Sequence, residues 1–187
     1  MSDGLENVVA AHTVLSEVDG RNGRLIIRGR SLDELTNHTR FEDLVALLFD
    51  GFFDDLPADL GPALGAARAE VFGEVAGLDT GLLDRTPIEA MRALTARLAD
   101  GDDLATALRL IAAPAVFTPA VVRAQAGLAP IAPDANLSHS ADILRMLRGE
   151  APSAAEVAGL DAYLVTVSDH GLNASTFAAR DRSGDRS

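Results

Sequence analysis

Ser or Thr stands three residues before Glu at four places in the chain, and this spacing limits the possible folds more than any other feature. The four places are SLDE (31–34), TRFE (39–42), TPIE (86–89) and SAAE (153–156). In a capping box, the hydroxyl and the carboxylate each bond an unpaired amide in the first turn of a helix. Apolar residues at helical spacing follow the last three, so the sequence predicts a mainly α, multi-helical fold.

Proline and glycine residues indicate where further helices begin and end. Pro87 occupies the first helical position of its segment, where a missing N–H costs nothing. The Thr-Pro pair at 118–119 is predicted to start another helix in the same way. Gly51, Gly101 and Gly149 stand where helices could stop.

The first thirty residues predict a different structure. The segments VVAAHTVL (8–15) and RLIIRG (24–29) are apolar and partly β-branched, and DGRNG (19–23) between them supplies the glycines of a tight turn. A short β-hairpin over about residues 8–29 is therefore predicted in front of the helices.

The composition excludes several classes of function. The 187 residues contain no cysteine, which removes disulfides, thiolate metal sites and cysteine nucleophiles. The net charge is −12 and no basic stripe is visible, so we expect no nucleic-acid partner. Apolar stretches such as LIAAPAVF (110–117) are too short for a membrane span and contain proline. The acidic start MSDGLEN is unlike a signal peptide, and a cytoplasmic location without membrane binding is expected.

His170, in the segment SDHGLNASTFAAR (168–180), is the most informative titratable residue. Gly171 can end the preceding helix with a positive φ, and Asn173 or Ser175 can cap a following helix. His170 would then lie beside a helix N-terminus, which favours anions. There its imidazole can donate to a substrate carboxylate or carbonyl, or it can merely cap backbone carbonyls.

The remaining candidate residues predict structural roles. His12, His38 and His139 are expected to be structural or solvent-facing. The acid pairs at 54–55 and 102–103 fall in predicted connectors, where solvation explains them. The sequence shows no phosphate loop, histidine pair at metal-ligand spacing or nucleophile elbow, so no metal and no cofactor are expected.

Five segments carry a resemblance to a known family, and they are GLENVVAAHTVLSEVDGRNGRLIIRGRSLDEL (4–35), FEDLVALLFDG (41–51), TPIEAMRAL (86–94), LSHSADILRMLRGEAPS (137–153) and LDAYLVTVSDHGLNASTFAAR (160–180). They resemble the citrate synthase family and occur in the family's order. The last is the most specific, because an Asp-His-Gly/Glu-x-Asn-Ala-Ser-Thr-Phe run is diagnostic on its own. Arg30 departs from the pattern, since the family commonly has an aromatic residue after Arg-Gly.

The resemblance implies a fold and a reaction. The family is almost wholly helical, has a large and a small domain, and forms dimers or hexamers of dimers. Its members are acyltransferases of the tricarboxylic acid cycle that condense acetyl-CoA, a substrate, with oxaloacetate to give citrate and CoA. Close relatives use propionyl-CoA and make 2-methylcitrate. The family uses an Asp and two His as acids and bases and arginines as carboxylate clamps. By its place in the motif, His170 corresponds to the histidine that binds oxaloacetate.

The resemblance also predicts what this chain lacks. Residues 1–180 correspond to the N-terminal part of the family's large domain, and DRSGDRS (181–187) resembles no part of it. The rest of the large domain and the small domain are expected to be absent. The family's catalytic His and Asp follow the motif, and no Gly-Pro-Leu-His-Gly run occurs in this sequence, so no catalytic residue is expected in this chain.

Several functions fit this pattern. The first is a truncated citrate synthase that is inactive alone, with exposed helix faces that make it poorly soluble or oligomeric. The second is a half-subunit that complements a separate C-terminal chain. A 2-methylcitrate synthase and a non-catalytic binding module are the remaining alternatives.

Overall fold

The structure, a computed structural model, describes residues 12–36 and 38–172. Within them, short strands come first and helices follow, which confirms the mainly α prediction. The strands are β1 (Ser16–Asp19), β2 (Arg24–Ile27) and β3 (Arg30–Ser31). The helices are α1 (Leu32–Thr36), α2 (Phe41–Phe49), α3 (Gly61–Val71), a 3-10 helix (Phe72–Gly77), α4 (Thr80–Leu83), α5 (Pro87–Thr95), α6 (Leu104–Gln125), α7 (His139–Arg148) and α8 (Ala154–Thr166).

The strands form one antiparallel sheet in the order β1-β2-β3. Asp19 pairs with Arg24 across the turn, and Ser16 pairs with Ile27. The predicted hairpin exists, but the predicted position of its first strand is wrong. Residues 12–15 form no strand, and residues 8–11 lie outside the described residues. The turn sets the register, so the partner of β2 is the less apolar segment next to the turn, and not the more apolar one before it.

Most of the predicted capping boxes form. At α5 and at α8 the reciprocal pair of bonds is complete, and Ser31 and Glu34 exchange the same bonds before α1. Glycines with positive φ follow α2 and α7, at Gly51 (+77°) and Gly149 (+89°), as predicted. Gly101 does not end a helix, because α5 already ends at Thr95.

The predicted box at TRFE does not form. Helix α2 begins at Phe41, and Arg40 at its N-cap makes no side-chain cap bond. Glu42 is instead buried in the core, where its Oε1 accepts the backbone amide of His139 at 2.5 Å. Tertiary burial of the carboxylate has overridden the local motif.

Helix α6 continues through both of its prolines. Pro119 lies inside it, so the predicted helix start at 118–119 is wrong. An interior proline removes one helix hydrogen bond and costs about 3 kcal/mol. The packing of α6 against α3, α5 and α7 offsets that loss, and Val116, Phe117 and Val121 are fully buried there.

The same helix corrects the expectation that no apolar stretch is long enough to cross a membrane. It has 22 residues, with a mean hydropathy of 1.6 over its best 18-residue window. The window is 56% buried inside the protein. Packing in the core therefore accounts for the apolar composition of α6.

Two apolar clusters form the core of the described residues. The larger lies around α3, α5 and α6. The smaller joins the sheet to three helices through Ile27 of β2, Leu35 of α1, Leu44 of α2 and Val165 of α8. The smaller cluster therefore ties the sheet to the C-terminal turn of α8, directly before His170.

Candidate substrate-binding site

His170 lies on the turn that follows α8. The amide of Val167, at the C-cap of α8, donates to the carbonyl of Tyr163 at 3.1 Å, and Ser168 Oγ donates to the carbonyl of Val165 at 2.9 Å. Gly171 has a φ of +88°, which confirms the left-handed glycine predicted after the helix. The His170 side chain is exposed. The predicted caps Asn173 and Ser175 lie outside the described residues.

The turn is held by the carboxylate of Asp169. Its Oδ1 accepts the Gly171 amide at 2.8 Å and also accepts the hydroxyl of Ser16 on β1. Gly171 itself lies against the same strand, since a Cβ there would be 3.2 Å from Val18 Cγ2. The residues on both sides of His170 are therefore attached to the sheet.

Asp161 of α8 attaches the helix to its neighbours. Its Oδ1 accepts Ser140 Oγ of α7 at 2.6 Å and the amide of Phe41 at 3.3 Å. Phe41 is the first residue of α2, where a carboxylate satisfies an unpaired amide and complements the helix dipole. These bonds orient α8, and through it the turn that carries His170.

The other predicted histidines are structural or solvent-facing, as expected. His12 and His38 are exposed. His139 is buried at the start of α7 and stacks on Phe41 with ring centroids 4.7 Å apart. Burial, and then the charge of Arg68, lowers the pKa of His139 to about 3. Arg68 Nη1 lies 3.4 Å from Nδ1. Because a guanidinium can only donate, Nδ1 holds the lone pair and Nε2 the proton.

A buried ion pair beside His139 was not predicted from the sequence. Arg68 of α3 and Asp142 of α7 are both fully buried, with Nε and Oδ2 2.9 Å apart. Asp142 also accepts the amide of Asp134 at 3.1 Å, and Arg68 donates to the carbonyl of Leu137 at 2.8 Å. The pair therefore fastens the connector before α7 to α3. The available signal was the position of Arg68 four residues after the core residue Leu64, on the same face of α3.

Metal-binding geometry is not found in the described part of the chain. No group of three or more His, Asp or Glu side chains there could hold a metal ion. Asp54 and Asp55 lie in the connector between α2 and α3. Asp103 is the N-cap of α6 and accepts the amide of Thr106 at 2.8 Å.

Comparison with known proteins identifies the relatives of this chain. A family model described as citrate synthase, C-terminal domain, matches residues 4–183. The citrate synthase of Haloferax volcanii is 33% identical, and the match covers 94% of this chain and 51% of that protein. A 2-methylcitrate synthase of Mycobacterium tuberculosis is 32% identical, covering 95% and 48%. The crystal structure of citrate synthase from Thermotoga maritima superimposes with a TM-score of 0.77 at 26% identity, covering 96% and 49%.

The chain belongs to the citrate synthase family of transferases, as the resemblance of its motifs predicted. Its helical fold is the fold of solved citrate synthases. The chain spans about half the length of the curated relatives it matches.

Proposed function

We propose that this chain supplies the oxaloacetate-binding histidine, His170, to a citrate synthase reaction. The reaction condenses acetyl-CoA with oxaloacetate to citryl-CoA, and water then hydrolyses the thioester to release citrate and CoA. The observation that carries the proposal is the place of His170, exposed on a hydrogen-bonded turn within the family's most specific motif. An exposed imidazole can donate a hydrogen bond to the carbonyl or a carboxylate of an oxoacid.

His170 needs further groups to complete the reaction. Forming the new carbon–carbon bond requires a base for the thioester methyl group and donors for the enolate and ketone oxygens. A dianionic oxoacid also calls for arginine clamps, because bidentate guanidinium–carboxylate bonds are the strong ones. We propose that these groups come from family residues that follow the motif, on a longer polypeptide or on a separate chain. The proposal is supported by the relatives, of which this chain covers about half.

The acyl substrate has two candidates. Acetyl-CoA is the first, since a citrate synthase is 33% identical to this chain. Propionyl-CoA is the alternative, since a 2-methylcitrate synthase is 32% identical. A dimeric or larger assembly, a cytoplasmic location and the lack of a cofactor stay predictions from the sequence.

The release of CoA tests this function with little background. A thiol reagent reports free CoA, and this chain has no cysteine that would react with it. The chain is assayed alone and mixed with the part of the Mycobacterium tuberculosis 2-methylcitrate synthase that it does not cover, with each acyl-CoA in turn. We expect release only from the mixture and a rate at least about 100-fold lower with His170→Ala, as for the loss of a group that stabilises the transition state.

The control variant is His12→Ala, which removes an exposed histidine and should leave the rate unchanged. Two outcomes contradict the proposal. One is a stable complex of the two chains, seen by size-exclusion chromatography, that releases no CoA. The other is an active mixture whose rate does not depend on His170.

A further inference from the structure

We propose that Asp169 and Ser16 are positioning residues for His170. The Asp169 carboxylate, held by the Ser16 hydroxyl on β1, fixes the turn that presents the imidazole to an oxoacid. The identity of the ligand, an oxoacid, rests on the proposed function. The attachment of the turn to the sheet does not depend on that function.

Two hydrogen bonds meet at one carboxylate oxygen of Asp169. Asp169 Oδ1 accepts the Gly171 amide at 2.8 Å, which closes the backbone around His170. The same atom accepts Ser16 Oγ, a residue 153 positions away in the chain. Hydrogen bonds to an ionised carboxylate are shorter and stronger than those between neutral groups. One carboxylate thus determines both the shape of the turn and its place on the sheet.

The strand that carries Ser16 is joined to a buried core. Ser16 pairs with Ile27 of β2, which is fully buried in the smaller core cluster. Val165, in the last turn of α8, belongs to that same cluster. The end of α8 therefore packs on this cluster directly, and β1 is joined to the same cluster by its pairing with β2.

The turn after α8 packs closely against β1 at Gly171. Gly171 has a φ of +88°, and a Cβ at this position would be 3.2 Å from Val18 Cγ2. Other residues at position 171 would strain the backbone and press on the strand. His170 itself is exposed, so the direction of its ring depends on this backbone geometry more than on packing around the ring.

Two pairs of variants distinguish the contribution of the Asp169 carboxylate from that of the Ser16 hydroxyl. Asp169→Ala removes the acceptor, and Asp169→Asn keeps an oxygen that accepts both bonds. Ser16→Ala removes the donor, and Ser16→Thr keeps a hydroxyl. The matched control is Asp54→Ala, which removes an exposed carboxylate from a connector. Circular dichroism and thermal melting of each variant verify that the chain folds.

Two NMR readouts are measured on the full chain. The first is the hydrogen-exchange rate of the Gly171 amide. The second is the dissociation constant for oxaloacetate, from the displacement of the His170 imidazole signal when the chain is in complex with the part of the Mycobacterium tuberculosis 2-methylcitrate synthase that it does not cover. We expect Asp169→Ala to raise the exchange rate and the dissociation constant by about 10-fold each, because it removes the acceptor of both the Gly171 amide and the Ser16 hydroxyl. Ser16→Ala should raise the dissociation constant by a smaller factor, and Asp169→Asn and Ser16→Thr should stay within about 3-fold of the wild type.

The outcomes separate this inference from the proposed function. A Gly171 exchange rate in Asp169→Ala equal to that of the wild type overturns the inference, as does an unchanged dissociation constant in that variant. If oxaloacetate does not move the His170 signal of the wild-type complex, while Gly171 exchange is faster in Asp169→Ala, the proposed function is overturned and the attachment of the turn is supported.

Discussion

The buried imidazole of His139 is expected to make this protein less stable in mild acid. The group is buried, stacked on Phe41 and held neutral beside the Arg68 guanidinium, so its pKa in the folded chain is about 3. In the unfolded chain it returns to the ordinary value of 6.5. Glu42 from α2 and Asp142 from α7 also lie close by, but burial and then Arg68 dominate the shift.

The sign and size of the effect follow from these two pKa values. Because the folded pKa is depressed, the unfolded chain binds a proton that the folded chain excludes. The stabilisation is fully present above about pH 6.5 and is lost as the pH falls toward 3. Each pH unit in that window corresponds to about 1.4 kcal/mol. The protein should therefore lose about 2 kcal/mol of unfolding free energy by pH 5 from His139 alone.

Urea denaturation at pH 7, 6 and 5 measures the loss. Other groups also titrate in this range, so the comparison is with His139→Phe, which keeps an aromatic ring against Phe41 and removes the titration. We expect the wild type to lose about 2 kcal/mol more than this variant between pH 7 and pH 5. Equal losses in the two proteins would refute the assignment of a neutral, buried imidazole.

Three substitutions and one control variant test the close contacts, a helix cap and the buried ion pair of the fold. Gly65→Ala should lower the unfolding free energy by about 3 kcal/mol, because its Cβ would lie 2.2 Å from the carbonyl oxygen of Ala135. Thermal melting measures this loss, with Gly159→Ala as the control. A Cβ at Gly159 would have open space in α8, so this control should raise the unfolding free energy by about 0.5 kcal/mol. If Gly65→Ala did not lower the stability, the connector would not cross α3 at this point. Ser153→Ala should cost about 1 kcal/mol in urea, and no loss would argue against the capping box at α8. Asp142→Ala should cost about 3 kcal/mol or more by leaving a buried guanidinium unpaired, so a stable, well-folded variant would contradict the buried pair.

Local chemistry was a sound guide wherever the chain near a residue decides its structure. The capping boxes at 86–89 and 153–156 formed because each needs only four consecutive residues. Gly171 adopted the predicted positive φ for the same reason. The capping box at 39–42 did not form because Glu42 accepts a hydrogen bond from the backbone amide of His139, which is 97 positions away in the chain. No local sequence pattern predicts such a distant contact.

The candidate site also has features that local sequence predicts and contacts that depend on the tertiary fold. Gly171 predicted the end of the helix before His170, and the structure confirms that end, whereas the binding role of His170 stays a prediction. The bond from Ser16 to Asp169 joins residues 153 positions apart and depends on how the sheet packs on α8. Helix α6 was missed as one unit because its prolines are helix breakers by local rules, and only its burial among α3, α5 and α7 offsets them.

The most direct test of oxoacid binding follows the imidazole signals of the chain by NMR as oxaloacetate is added to the chain mixed with the part of the Mycobacterium tuberculosis 2-methylcitrate synthase that it does not cover. We expect a saturable displacement of the His170 signal, identified by its absence in His170→Gln. His12 and His38, which are also exposed, serve as internal controls and should not follow it. Malonate, a dianion without a ketone, should displace the signal less. A His170 signal that moves no more than those of His12 and His38 would contradict the claim that this turn binds the oxoacid.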